Sequence, residues 1–174
     1  YLRKLLRDDC NPNSAQQLAQ FHYPVYFRYT ELFLAYAEAA NEAWGPRNAG
    51  SVGYSAYDVI KAIRQRAGLG VGGNDPYLET CAGNPEMMRE LIRNERRIEM
   101  CFENKRFWDL RRWKVDLAQL NATTMGMNIT QEGGVLKYNV IEVENRNYKD
   151  YMYYGPIPDG EVRKWSNLDQ NTGW

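Results

Sequence analysis

The sequence predicts a mainly α fold: a tetratricopeptide-like helix pair and a long C-terminal helix, with irregular loops and a small β-hairpin. Three observations predict it. Apolar residues recur at helical spacing over residues 29–44 and 55–67. The same period runs through the first part of EMMRELIRNERRIEMCFENKRFWDLRRWK, residues 86–114. The β-prone runs, MNIT and VLKYNVIEV, are short and separated by Gly133-Gly134. A chain of 174 residues is long enough for one domain with a real core, so residues 1–174 are read as a single domain.

The N-terminal residues are weakly patterned. YLRKLLRDDC is read as one or two helical turns, NPNS as a turn, and residues 15–21 as a short helix. His22 is the only histidine, and packing or surface contact is its ordinary role at such a place. In the helix over 29–44, Thr30 is the expected N-cap. Phe33, Tyr36, Ala37, Ala40 and Trp44 fall on one face, and Ala35, Ala39 and Ala40 are small enough to admit a neighbouring helix. Gly45-Pro46 ends it. The partner helix opens on a capping box of Ser55 and Asp58. Its apolar stripe is Ala56, Val59, Ile60, Ile63 and Ala67, and Gly68 is a natural C′ residue. One helix pair cannot bury its own faces, so it must stack on something else.

Residues 68–73 spell G-x-G-x-x-G. A dinucleotide turn needs a strand before it and a helix opening at it. Here a helix precedes it, so the run is read as a flexible exit and no cofactor is expected. Asn84-Pro85-Glu86 then starts the long helix, with Asn as N-cap and Pro at the first position. That helix is expected to run to about Glu103, with a break near Asn104 and a second short helix. Met88, Leu91, Ile92, Ile98 and Phe102 mark its apolar face, with Trp44, Tyr54 and Tyr77 left as exposed aromatics at a helix exit and in loops.

Glu95 and Glu99 are four residues apart on or beside that face. A pair of carboxylates is the equipment of a glycosidase. Yet Arg93, Arg96, Arg97 and Arg106 crowd the neighbourhood, and guanidiniums depress the pKa that a general acid needs raised. The favoured reading is a structural ion network of Arg93, Glu95, Arg96, Arg97, Glu99, Arg106 and Asp109, because charges near an apolar face are buried only when paired. Residues 86–114 hold nine basic and six acidic side chains in a chain of zero formal net charge. With the acids cancelling most of that charge, and with Phe107, Trp108 and Trp113 at spacings suited to a packed helix, nucleic acid is not favoured.

The C-terminal third changes character. A small hairpin or irregular β segment is expected within 117–145, a short strand at the tyrosine-rich 148–154, and an extended Pro156-Ile157-Pro158. Asp159 is expected to cap one turn reaching Trp165, before a coil tail. Asn121-Ala-Thr and Asn128-Ile-Thr match glycosylation sequons, triplets that often arise by chance. The three cysteines, Cys10, Cys81 and Cys101, lack metal-ligand spacing, and their odd number argues against a full disulfide framework while leaving a Cys10–Cys81 bridge open. No apolar run is long enough to span a bilayer.

LIRNERRIEMCFENKRFWDLRRWK resembles the SusD/RagB signature, whose usual form is close to ERRIELAFEGxRFxDLRRW. RYTELFLAYAEAANEAWG and YDVIKAIRQRAGLG resemble the helix pair that precedes it, and YGPIPDGEV and NLDQNTGW resemble the family's closing segment, with Thr172 in place of the usual Pro. The resemblance spans residues 28–174 in order. It implies a glycan-binding lipoprotein on the extracellular face of the outer membrane of Bacteroidetes-type bacteria, working with a SusC-like TonB-dependent transporter. It further implies that this chain is the C-terminal part of a longer protein, whose N-terminal lipid anchor is absent here. The family's glycan-binding motifs do not map onto this chain residue by residue.

Sugar recognition needs flat aromatic faces beside polar groups. Of the 23 aromatic residues, the loop aromatics Trp44, Tyr54 and Tyr77 are the expected ligand contacts. Three functions are weighed: a non-enzymatic glycan-binding subunit, a helical-repeat scaffold for protein partners, and, less favoured, a glycoside hydrolase. No nucleophile or metal motif supports an enzyme.

Overall fold

In the computed structural model, which describes residues 4, 5, 7–10, 21 and 23–174, side-chain chemistry sets most helix starts. The chain forms two compact units, Tyr1–Glu103 and Asn104–Trp174. The NPNS turn, the helix read over 15–21 and His22 lie outside the described residues. Residues 4, 5 and 8–9 are turns, not helix.

The first unit holds α1 (Tyr29–Trp44), α2 (Ala56–Arg66), α3 (Pro76–Cys81) and α4 (Pro85–Glu99). The α2 capping box is present: the Ser55 N–H donates to Asp58 Oδ2 at 2.8 Å, and the Asp58 N–H donates to Ser55 Oγ at 3.3 Å. Asn84 Oδ1 accepts from the N–H groups of Glu86 and Met87 at 2.8 and 3.1 Å, with Pro85 at the first position of α4. Thr30 is not the cap of α1. Arg28 occupies that position without a side-chain bond, and Thr30 lies inside the first turn. Arg66, at the end of α2, donates to Thr30, while the Tyr57 N–H, at the start of α2, donates to Pro46 O. The pair is therefore antiparallel.

The core joins Leu34, Ala37 and Ala40 of α1 to Val59, Ile60 and Ile63 of α2, Leu78 of α3, and Met88, Leu91 and Ile92 of α4. The buried stripe of α1 is rotated from the expected one: Phe33 and Trp44 are exposed, whereas Leu34 and Asn41 are buried. Asn41 Nδ2 donates to Pro85 O at 3.0 Å, which ties the end of α1 to the start of α4. Ala37 and Ala40, not Ala35 and Ala39, provide the close helix approach. Ala67 is exposed and caps α2, with Gly68 following at φ +87°. Residues 68–73 then form turns between two helices, not a strand-to-helix turn.

Helix α4 ends at Glu99, one turn earlier than expected, and Ile98 and Phe102 are exposed. Phe102 and Asn104 adopt φ of +62° and +59°, a left-handed backbone that cannot continue a helix. Cys10, Cys81 and Cys101 are free thiols.

The second unit holds α5 (Arg106–Arg112), α6 (Leu117–Leu120), β1 (Thr124–Glu132), β2 (Val135–Glu144), a 3₁₀ turn (Asp150–Tyr153) and α7 (Asp159–Val162). The β strands form one antiparallel hairpin, closed by Gly133 and Gly134 at φ +57° and +82°. Two positive φ values are what a tight two-residue hairpin turn requires. Phe107 and Trp108 are exposed, contrary to the packed role expected of them. The expected strand at 148–154 is the 3₁₀ turn instead, and Tyr153 donates to Val115 O. Pro158, not Asp159, is the cap residue of α7. The tail folds back on its own unit: the Gln170 amide pairs with both the N–H and C=O of Ile157 at 2.8 Å, and Trp174 Nε1 donates to Tyr154 O at 3.0 Å.

Candidate ligand groove and charge network

Two features of the first unit could bear on function: a set of buried charges along α4 and a groove between α1 and α2. The carboxylates decide whether acid–base chemistry is available. Glu95 and Glu99 project to different guanidiniums. Glu95 Oε1 accepts from Arg64 Nη1 at 2.5 Å, and both residues are more than nine-tenths buried. Arg64 also grips Asp75 through Nε and Nη2 at 2.7 and 3.2 Å. The hydrogen bonds that Arg64 donates to Asp75, then to Glu95, outweigh burial and hold the Arg64 pKa above its ordinary value. The Arg64 hydrogen bond likewise holds Asp75 below the usual carboxylate range.

Glu99 Oε1 accepts from Arg28 Nη1 at 2.6 Å and Arg66 Nη2 at 2.5 Å. Glu103 takes Arg28 Nε at 2.9 Å and Lys4 Nζ. Burial pushes both glutamates up, but the cationic hydrogen bonds outweigh it, and both sit below the ordinary glutamate value. Each remains an anion at neutral pH, the opposite of a tuned general acid.

The members of the expected ion network divide between the two units. Glu95, Glu99 and Arg96 are ion-paired in the first, Arg96 through Glu31 at 3.4 Å. Arg93 pairs with Glu90 at 3.4 Å near the surface, and Arg97 is exposed. Arg106 and Asp109 lie in the second unit, where buried Asp109 accepts from Arg112 at 3.2 Å and the Arg106 guanidinium lies 5.9 Å from the Trp113 ring. The principal partners of the α4 acids are Arg28, Arg64 and Arg66, which sequence spacing did not single out. One signal was available. Arg64 follows Ile60 by four residues, which places it on the buried stripe of α2.

The groove has a volume of about 490 Å³, and its walls include Tyr29, Phe33, Tyr54, Val59, Ala62 and Ile63. Tyr29 and Phe33 meet edge to face at 4.9 Å. Tyr54 rests against Tyr36, ring centroids 4.7 Å apart, and accepts the Tyr36 hydroxyl on its carbonyl at 2.7 Å. Thr30, Asp58 and Arg66 bring polar atoms to the same walls. The Ser55 hydroxyl and N–H hold Asp58 below the ordinary aspartate value through its Oδ2. Ligand clefts commonly measure roughly 300–1,000 Å³, so the groove has room for a sugar-sized ligand.

Of the three aromatics expected to contact ligand, only Tyr54 lines this groove. Trp44 is 41% exposed and packs against Gly50, where a Cβ would come within 2.8 Å of its ring. Tyr77 is 60% exposed, with the Arg64 guanidinium 5.7 Å from its ring centroid. It stands on α3, not in a loop: Asp75 caps that helix, accepting from the Leu78 N–H at 3.1 Å, and Pro76 opens it. The sequence missed Tyr29 and Phe33 as groove walls because both were assigned to a helix.

The sequence model of the SusD family matches residues 1–174. The chain belongs to the SusD family. It is 34% identical over 160 residues to SusD-like protein P2 of Formosa agariphila, a match covering 92% of this chain and 27% of that protein. The crystal structure of a SusD-like protein from Bacteroides fragilis superposes with a TM-score of 0.66 at 35% identity, over 87% of this chain and 26% of that one. The chain thus spans about a quarter of the length of these two relatives. Its mainly helical fold with one small hairpin is that of a SusD-type segment.

Proposed function

We propose that residues 1–174 form the C-terminal domain of a glycan-binding, non-catalytic component of an outer-membrane uptake complex. In this reading the complete protein is lipid-anchored at the extracellular face and delivers oligosaccharide to a SusC-like TonB-dependent transporter. The observation that carries the binding role is the groove, where three aromatic rings stand beside a hydroxyl, a carboxylate and a guanidinium. Aromatic faces pack on the apolar faces of pyranose rings, and the polar rim takes hydroxyls. Trp44 and Tyr77 are secondary contacts, for glycans long enough to leave the groove. The non-catalytic role is supported by the occupancy of Glu95, Glu99 and Glu103, each already paired to a cation. It is also supported by membership of the SusD family.

Calorimetry with a panel of polysaccharides tests the reading. Replacing Tyr54 or Phe33 with Ala removes ring contact and should weaken binding roughly tenfold, about 1.4 kcal/mol. Unchanged affinity in both variants would remove the groove as the site. Release of reducing sugar by the purified protein would remove the non-catalytic assignment.

A further inference from the structure

The β1–β2 hairpin has two unlike faces. Residues paired across an antiparallel ladder share a face. Met125 pairs with Glu142, Met127 with Val140, Ile129 with Tyr138 and Gln131 with Leu136. This face therefore carries six large apolar side chains, from 46% exposed at Ile129 to 62% at Val140. The opposite face pairs Asn128 with Asn139 and Thr130 with Lys137, and is polar along its middle. Every residue of β2 is exposed. A lone two-stranded hairpin is marginally stable at best in water, and the apolar face of an antiparallel sheet is normally packed on a core.

We propose that this apolar face packs against a part of the same SusD-type polypeptide lying outside these 174 residues. The proposal rests on family membership and on the reading of the chain as a segment of a longer protein. These 174 residues cover 27% and 26% of the two relatives, so polypeptide of that kind has ample length to supply the cover. The chemistry of the face favours an obligate apolar neighbour over other occupants. A sugar would find one ring, Tyr138, and polar groups only at the two ends, Gln131 and Glu142. A reversible protein partner would leave the hairpin bare whenever it dissociated, and reversible interfaces are less apolar than this face. A second copy would make hairpin stability depend on protein concentration. The fitting neighbour is a helix or sheet face carrying an aliphatic stripe.

Peroxide oxidation of methionines, mapped by mass spectrometry, tests this in the intact natural polypeptide. N-acetylmethionine is added as an exposed reference. Met125 and Met127 are expected to oxidise about tenfold more slowly than the reference, at every protein concentration and with no other protein present. Oxidation at the reference rate would overturn the proposal. So would protection that grows with protein concentration, which indicates a second copy, or that needs added transporter. A paired variant, Met127→Lys with Val140→Lys, should lower the thermal midpoint of the intact polypeptide by several degrees, whereas Asn139→Lys on the polar face should not. Glycan calorimetry on the unsubstituted intact polypeptide separates the two readings, since absent glycan binding with both methionines protected would count against the groove alone.

Discussion

At Arg64 one guanidinium holds Asp75 at 2.7 Å and Glu95 at 2.5 Å in a nearly dry position. Removing it leaves the buried Glu95 carboxyl without its cation, so Arg64→Met should destabilise the first unit by about 3–5 kcal/mol, measured by urea unfolding. Adding Glu95→Gln should recover part of that loss. If Glu95→Ala alone costs less than about 0.5 kcal/mol, Glu95 is solvated and the network argument fails. Glu99 and Glu103 give the pH dependence. Their folded pKa values lie below the ordinary 4.5, so the stability they add is complete above that value and is lost as pH falls through the lower folded values. Arg28→Met removes most of that depression, so the variant should have a lower urea midpoint at neutral pH, and its midpoint should fall less steeply than that of the unsubstituted protein as pH drops below the ordinary glutamate value. That these acids would meet cations was legible from the density of arginine around them. Their main partners were not, because pairing across 31 to 75 residues of separation is set by helix packing, which no local period encodes.

Among the helices and strands, starts were more legible than ends. Ser55, Asp58 and Asn84 are short polar side chains placed to satisfy free N–H groups, a local chemistry that tertiary contacts rarely overrule. Asn84→Ala should cost about 1 kcal/mol, and fraying by hydrogen exchange should be confined to the first turn of α4. The end of α4 was misjudged because Phe102 continues an apolar pattern yet adopts φ +62°. Helix α3 escaped notice although Asp75-Pro76 is the same cap-and-proline start as Asn84-Pro85; at six residues it is too short to display a period. The hairpin was legible from Gly133-Gly134 and the β-branched runs on either side. The tail clamp was not, since Gln170 imitates a strand partner for Ile157 with a side chain, and a side-chain amide carries no pattern. Gln170→Ala should cost about 1–2 kcal/mol and speed exchange of the Ile157 amide in particular.

For the molecule as a whole, the charge arithmetic bears on the ligand class. Formal net charge is zero, so no long-range field gathers anions or cations. Within the groove the two charged walls are engaged internally: Asp58 in the α2 cap, and Arg66 with Glu99 and Thr30. A ligand entering there meets neutralised charges and aromatic faces, conditions that suit an uncharged oligosaccharide. Binding of a neutral glycan should then be nearly insensitive to salt, changing less than about twofold between roughly 0.05 and 0.5 M, because screening acts on unpaired exposed charges. An acidic polysaccharide drawn in by Arg66 would instead weaken markedly over the same range, and Arg66→Gln would abolish that dependence. Calorimetry at the two ionic strengths distinguishes these cases. A steep salt dependence would place recognition on surface charge and away from the rings of Tyr29, Phe33 and Tyr54.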